Sequence, residues 1–369
     1  MKPIFAIMAL LGGLSASVLA QQPALMPVPA VPGYVSTLGT GMVVDWALTD
    51  RGIREFDPLA VRDFQRRGIH HVRIRVAADT SSQHLVHLHK IVEACEQYGI
   101  VPIISYQADA FRNDPSGENE AALVRWWVAV ASSFAGQVPD LAFDLIYDPG
   151  EKLNRNPQLL NRAYEKVVKA IHKINPRQII MIAPRMHGAP EELSSLKWPA
   201  GNNGVVFAEW HIFPWGPVKN NGKYPWTTGT PVEKAAIRAR IHTVVRWQQK
   251  TGHRAWLGAW SAGEIAKKAS LQNPIAFATF VACELQKAHI PYAINPDSWF
   301  YDGEEGAWRP EKQPLLDAMI NPVCAPAKGA KPGGKSDPVR PAVKSVDGDA
   351  APAAPVPAST PQSATPSPS

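Results

Sequence analysis

The residues best placed to do chemistry in this chain stand at the ends of short apolar runs: Arg73, Gln107, Tyr147 with Asp148, Glu209 with His211, and Ala259 with Trp260. Asp148 could protonate a leaving oxygen, and Arg73 could neutralise Asp148 or hold a ligand hydroxyl. Glu209 lies two residues before His211, so strand alternation puts both on one face, with Glu209 deeper. The expected role of Glu209 is that of a buried ion-pair partner, an arginine being one candidate; a catalytic carboxylate is the alternative. Glu264 is a second candidate carboxylate, at a loop or helix start. Tyr147, Trp260 and Trp299 could stack on a flat ligand face or fill space. Trp210, Trp215 and Trp226 lie on or near a long loop, 215–231, which at an active face is usually functional. His84 and His87 are helix-spaced, but no carboxylate completes a set with them. They read as a solvated helix face, so neither a metal nor another cofactor is expected.

The elements that must position these residues alternate along the chain. Apolar runs cover Gly41–Trp46, His71–Val76, Val101–Tyr106, Leu141–Tyr147, Gln178–Ala183, Val205–His211, Ala255–Trp260 and Pro291–Asn295. Between them, helical periodicity is clear at Leu85–Tyr98, Pro157–Ile174, Val232–Thr251 and Pro274–Ala288. Eight strand–helix units form a closed parallel barrel more naturally than an open sheet. The doubly wound alternative needs a Gly-rich phosphate turn, and the sequence has none. The predicted class is α/β, a (β/α)8 TIM barrel spanning 34–324, whose chemistry sits at the C-terminal strand ends.

The chain has 369 residues, 45% of them apolar and 19% charged, so a large core can be buried. Its formal charge is +6, but Lys2, Lys328, Lys331, Lys335, Arg340 and Lys344 lie outside any plausible core. No basic stripe with interleaved aromatics exists, which argues against nucleic acid as a partner. Residues 1–20 read as a signal peptide: Lys2, an apolar run from Ile4 to Leu14, and Val18-Leu19-Ala20 before cleavage. The expected location is therefore secreted or periplasmic. Residues 21–33 read as a linker, and the Pro/Ala-rich 325–369 as a disordered tail that could dock an envelope protein. Cys95 and Cys283 sit in helical patterns and read as core; a Cys283–Cys324 bridge is open.

The strand ends also carry a recognisable series. Gly41-Met-Val-Val-Asp-Trp-Ala-Leu48 resembles the opening strand motif of family-5 glycoside hydrolases, the cellulase family. Gly68-Ile-His-His-Val-Arg73-Ile-Arg-Val76 is similar to its second-strand motif, where an arginine supports the nucleophile. Phe143-Asp-Leu-Ile-Tyr147-Asp148-Pro149 resembles the fourth-strand Phe-Glu-Leu-Leu-Asn-Glu-Pro. Asn175-Pro176 with Ile179–Pro184, Glu209-Trp-His211-Ile-Phe213-Pro214, Leu257-Gly258-Ala259-Trp260-Ser261, and Tyr301-Asp302 with Trp308 resemble the later motifs in order. The resemblance runs from about residue 39 to 320.

That resemblance implies a β-linked poly- or oligosaccharide as partner, a monomer, and substrate contacts from Arg73, Gln107, Tyr147, His211, Trp260 and Trp299. It also implies departures at the chemistry. Asp148 stands at the acid/base Glu position, Tyr147 at the preceding Asn, Gln107 at the third-strand His, Phe213 at the sixth-strand Tyr and Ala259 at the nucleophile Glu. A retaining glycosidase needs two carboxyls about 5–5.5 Å apart, one of them a nucleophile, and alanine cannot form the glycosyl ester. The expectation is a catalytically impaired homologue that binds glycan. An active endoglucanase-like hydrolase with a rearranged carboxylate pair and an envelope scaffold with a vestigial pocket are the alternatives.

Overall fold

The computed structural model describes residues 33–136, 140–202, 204–212, 226–262 and 272–324. The leader, nearly all of the linker, the tail, Glu264, Phe213 and Trp215 lie outside the described residues.

Eight parallel strands close into one barrel, each paired with its neighbours in chain order: β1 (Thr40–Ala47), β2 (His71–Val76), β3 (Val101–Tyr106), β4 (Ala142–Asp144), β5 (Ile179–Ile182), β6 (Val206–His211), β7 (Ala255–Trp260) and β8 (Tyr292–Ile294). β8 returns to β1 through the register Thr40↔Tyr292. Helices cover the outside: α1 (Pro58–Arg66), α2 (Ser82–Gln97), α3 (Gly117–Ser133), α4 (Pro157–Ile174), α5 (Pro231–Thr251), α6 (Gln272–Lys287) and α7 (Gln313–Ile320). Their starts follow from local chemistry. Asp57 caps α1 through the Leu59 amide, and Thr230 with Glu233 forms a reciprocal capping box on α5.

Two expectations are corrected. The fifth crossover is not a full strand–helix unit; among the described residues, only the short turns Arg185–Gly188 and Pro190–Ser195 stand between β5 and β6. The fourth strand stops at Asp144 rather than Tyr147. Beyond it the chain turns, and Asp148 adopts the left-handed φ of 54°.

Alternation sorts the strands into two cores. Outward residues such as Val44, Ile74, Phe143, Ile180 and Leu257 pack under the helices. Inward residues Val43, Ile103, Ala142, Ile179, Met181, Phe207, Trp256 and Ala293 fill the lumen. Tyr34, Val35 and Leu38 join that lumen cluster. The lumen is thus packed rather than open, as layered barrels require.

Cys283 and Cys324 form a disulfide with Cα atoms 5.6 Å apart. Cys283 is buried as its helical pattern suggested and the bridge left open by the sequence is formed, whereas Cys95 is free and buried.

Candidate functional site: a charged lumen beneath Asp148

The lumen is built in tiers. At the bottom, His71 Nδ1–H donates to the Leu38 carbonyl at 2.7 Å, and its Nε2 accepts from Trp256 Nε1 at 3.0 Å. Burial pushes the imidazole down to about 4, which matches a neutral ring used at both nitrogens. Gly41 leaves the space: a Cβ there would lie 2.3 Å from the His71 ring.

The middle tier is ionic. Arg73 on β2 has no exposed surface. Its Nε donates to Asp144 Oδ2 at 2.9 Å and to Ser105 Oγ at 3.2 Å. Its Nη2 reaches Asp144 Oδ2 and Glu209 Oε1, each at 2.5 Å, and Nη1 donates to the Gly258 carbonyl at 3.3 Å. The Ser105 hydroxyl donates to the same Asp144 oxygen. Two buried carboxyls facing one guanidinium cannot both ionise freely. Burial and the charge of Glu209 push Asp144 up to about 7 against the pull of Arg73. Burial also opposes the charge on Glu209, but Arg73 and His211 outweigh it and hold that carboxyl low. Within the pair, Asp144 is the carboxyl pushed up and Glu209 the one held low.

The upper tier links this cluster to the mouth. Glu209 Oε1 accepts from His211 Nε2–H at 2.6 Å. His211 Nδ1–H points at the His187 carbonyl, 3.0 Å away, with Asp148 Oδ1 at 3.4 Å. Burial disfavours the imidazolium, but Glu209 and Asp148 overcome it and raise the group to about 9. Asp148 Oδ2 accepts from His187 Nδ1–H at 3.0 Å and lies 3.7 Å from Arg112 Nη2. Burial alone would raise the Asp148 carboxyl; the two histidines reverse this and hold it well below the usual carboxylate range.

Strained backbone makes these contacts. Met186, His187 and Gly188 are consecutively left-handed, with φ of 59°, 57° and 70°. That turn carries the His187 ring over Gly150, where a Cβ would lie 2.3 Å from the ring. Left-handed non-glycine residues cost on the order of 1–3 kcal/mol each and persist where surroundings impose them, commonly at functional sites.

Tyr147 lies over the ionic tier, with the Arg73 guanidinium 4.3 Å and that of Arg75 4.6 Å from its ring centroid. It is 9% exposed and belongs to the lumen's apolar cluster together with Ala259. Opposite, β7 is bulged: His211 pairs with Ala259, although Trp210 pairs with Leu257, so Gly258 is the extra residue. The bulge turns both Gly258 and Ala259 inward. A Cβ on Gly258 would sit 2.2 Å from Glu209 Oε1, so only glycine admits that carboxylate.

The residues expected to meet substrate are therefore mostly enclosed. Arg73 and Glu209 are sealed, His211 is 1% exposed, and Gln107 is 6% exposed beyond the end of β3. Trp260 is corrected outright. The bulge directs it out of the lumen, fully buried and edge-on to Tyr292. Trp299 packs partly buried against the outer core. Glu209 takes the ion-pair role with Arg73 rather than an accessible one. Asp148 keeps side-chain exposure of 23% at the mouth.

Several participants were not singled out from sequence. Asp144 and Ser105 occupy inward positions of β4 and β3, and alternation from Tyr147 or Gln107 gives no hint of an ionic contact across three strands. His187 depends on a left-handed turn that no local signal announces. Asp297, on the segment after β8, is 6% exposed. Burial first and the charge of Asp45 second push it up to about 7.

Comparison with known proteins places this geometry. No curated protein matches the chain significantly. Among solved structures, an endoglucanase from the hyperthermophilic Thermotoga maritima superposes with a TM-score of 0.67 at 20% identity, covering 78% of this chain and 99% of that one. The cellulose synthase subunit Z from Clostridioides difficile gives 0.65 at 20% identity, covering 77% and 100%. A broad-specificity endoglucanase from Clostridium acetobutylicum gives 0.65 at 17% identity, covering 78% and 98%. At these identities the likeness speaks for the fold. The family model for cellulase, glycosyl hydrolase family 5, matches residues 59–292, and with an eight-stranded barrel around a charged lumen, the chain belongs to that family.

Proposed function

We propose that this protein engages a β-linked poly- or oligosaccharide at the C-terminal face of its barrel, and that double-displacement hydrolysis is impaired. The observation that carries the reading is the state of Asp148. A glycosidase acid must hold a proton at working pH, which usually means a raised pKa. Asp148 shows the reverse, because His187 and His211 hold it ionised. Its carboxyl is also one methylene shorter than glutamate, and misplacement of about 1 Å can cost on the order of 100-fold in rate. Ala259, at the position the resemblance assigns to the nucleophile, pairs with His211 and is fully buried. It offers nothing to form a glycosyl ester.

The glycan itself is inferred from the family and from fold neighbours. The Thermotoga maritima enzyme has been crystallised with cellobiose and with mannotriose. A secretory leader before Gln21 would place the protein in the periplasm or outside the cell, where such glycans occur. The tail remains a candidate dock for an envelope partner.

The test is reducing-end release from β-glucans, mannans and xylans by the purified protein, with Asp148→Ala as control and binding measured in parallel. The expected result is saturable binding of at least one glycan and no turnover above the control. Turnover lost in Asp148→Ala would overturn the impaired reading and direct attention to Glu264. Neither turnover nor binding would favour the scaffold alternative.

A further inference from the structure

The crossover from β5 to β6 carries no covering helix among the described residues, so the crossover chain itself closes the flank between α4 and α5. That chain is fastened to both helices. On α4, Asn161 Oδ1 accepts from the Lys197 amide and Glu165 Oε2 from the Ala200 amide, each at 3.0 Å. At the end of α5, the Trp198 ring stacks on His253 at 3.7 Å and lies 5.9 Å from Trp247.

This flank gathers cations that the barrel leaves unpaired. Lys169 and Lys173 lie on α4 with Arg177 just beyond it, Lys197 on the crossover, and Arg246 and Lys250 on α5 with Arg254 just beyond it. All seven are exposed, and none has an ion-pair partner among the described residues. The flank's carboxylates are engaged elsewhere: Glu191 with Arg240 at 3.1 Å, Glu192 with Arg185 at 2.7 Å, Glu165 with the crossover backbone and Glu233 in its capping box. A helix dipole draws cations to the last turn, which accounts for Lys173 and Lys250. It does not account for Lys169, Arg177, Lys197, Arg246 or Arg254. Lys169 with Lys173, and Arg246 with Lys250, are also like charges four residues apart, an arrangement that weakens a helix. Such a surface calls for an anionic partner.

We propose that this flank adsorbs the barrel to an anionic lipid surface, its lysines and arginines meeting the headgroup phosphates. The proposal is independent of the glycan reading above. Three observations favour lipid over other polyanions. The cations are spread over two helices and the chain between them rather than converging on one pocket, which suits many separate phosphates. The rings in the middle, Trp198, Trp247 and His253, are committed to one another, so no platform is left on which a sugar or a base could stack. The large exposed apolar side chains, Leu59, Val86, Met186, Val232 and Val323, lie elsewhere, Val232 at the far end of α5. The flank therefore offers neither the apolar anchor of a protein interface nor a wedge for insertion, and its attachment is electrostatic. Because α4 leads into β5 and α5 into β7, most of these cations lie towards the N-terminal strand ends. Adsorption there would turn the mouth that carries Asp148 away from the lipid.

Vesicle co-sedimentation of the purified protein from Gln21 onward tests this at low salt. The probes are vesicles of phosphatidylcholine alone and of phosphatidylcholine with about one-third phosphatidylglycerol. Binding is expected to the anionic vesicles only, and is expected to disappear as added salt screens the contacts. Each cation near such a surface contributes about fivefold to partitioning. The combined variant Lys169→Gln, Lys173→Gln, Lys197→Gln and Lys250→Gln should therefore partition at least about a hundredfold more weakly. If that variant does not fold by circular dichroism, Lys197→Glu with Lys250→Glu decides, with an expected loss of at least about tenfold. Undiminished binding by the decisive variant would overturn the proposal, as would equal binding to neutral and anionic vesicles. Retention on polygalacturonate or single-stranded DNA without binding to anionic vesicles would overturn it in favour of a soluble polyanion, and binding to none of these probes would overturn it outright.

Discussion

Glu209 illustrates how one side chain can be fixed from several directions. It accepts from Arg73 and from His211, and it fits only because residue 258 is glycine. Removing one partner of a buried pair leaves the other charge uncompensated, typically at about 3–5 kcal/mol. Glu209→Ala should therefore cost at most that much in denaturant unfolding, because Arg73 keeps Asp144 and His211 keeps Asp148 as partners. Gly258→Ala should cost about 1–3 kcal/mol by displacing the same carboxylate, the usual range for overpacking. If the two substitutions are combined, the cost of Gly258→Ala should largely vanish, because the clash partner is gone; strict additivity would argue against this contact.

At the scale of elements, the last helix depends on a covalent tie. α7 follows β8 and precedes Cys324, which is bonded to Cys283 of α6 across a separation of 41 residues. The chain-entropy estimate for a loop of that length is about 4 kcal/mol. Cys283→Ser with Cys324→Ser should lower stability by up to that amount, and reductant should destabilise the wild type but not the double variant. The turn Met186–Gly188 is the other element whose shape matters. Gly150→Ala should push the His187 ring away from Asp148, raising the Asp148 pKa. Carboxylate NMR would register that shift, and an unchanged titration would show that His187 does not control the group.

For the molecule as a whole, the lumen's charges predict a pH dependence. His211 is raised from 6.5 to about 9, so its contribution is fully present below pH 6.5 and is lost as pH rises through 9. A shift of that size corresponds to about 3 kcal/mol at most. The raised Asp144 and Asp297 act in the same direction at lower pH, favouring the folded state below about 7. Melting temperature should therefore fall from pH 6 to pH 9.5, and His211→Gln should flatten the upper part of that slope. The depressed Asp148 acts oppositely, losing its contribution only as pH drops below the ordinary carboxylate range.

Strand positions, the barrel class and four of the covering helices were legible because they are periodic and local: alternation of two marks strands, and helical spacing marks the covering layer. His71–Val76, Val101–Tyr106 and Ala255–Trp260 were read to the residue. The two-residue offset of Glu209 from His211 placed it on the same face and deeper, with a buried ion pair as its expected role; that its partner is Arg73 came from the structure. What only the tertiary structure decided is where those side chains point once regularity breaks. A single inserted residue at Gly258 sends Ala259 into the lumen and Trp260 out of it. The early end of β4 and three left-handed residues bring His187 onto Asp148. Asp144, Ser105 and Asp297 gain their significance from burial beside groups far away in sequence. Sequence therefore determines the period of each element, while the register breaks and cross-barrel charge contacts exist only after the strands have closed.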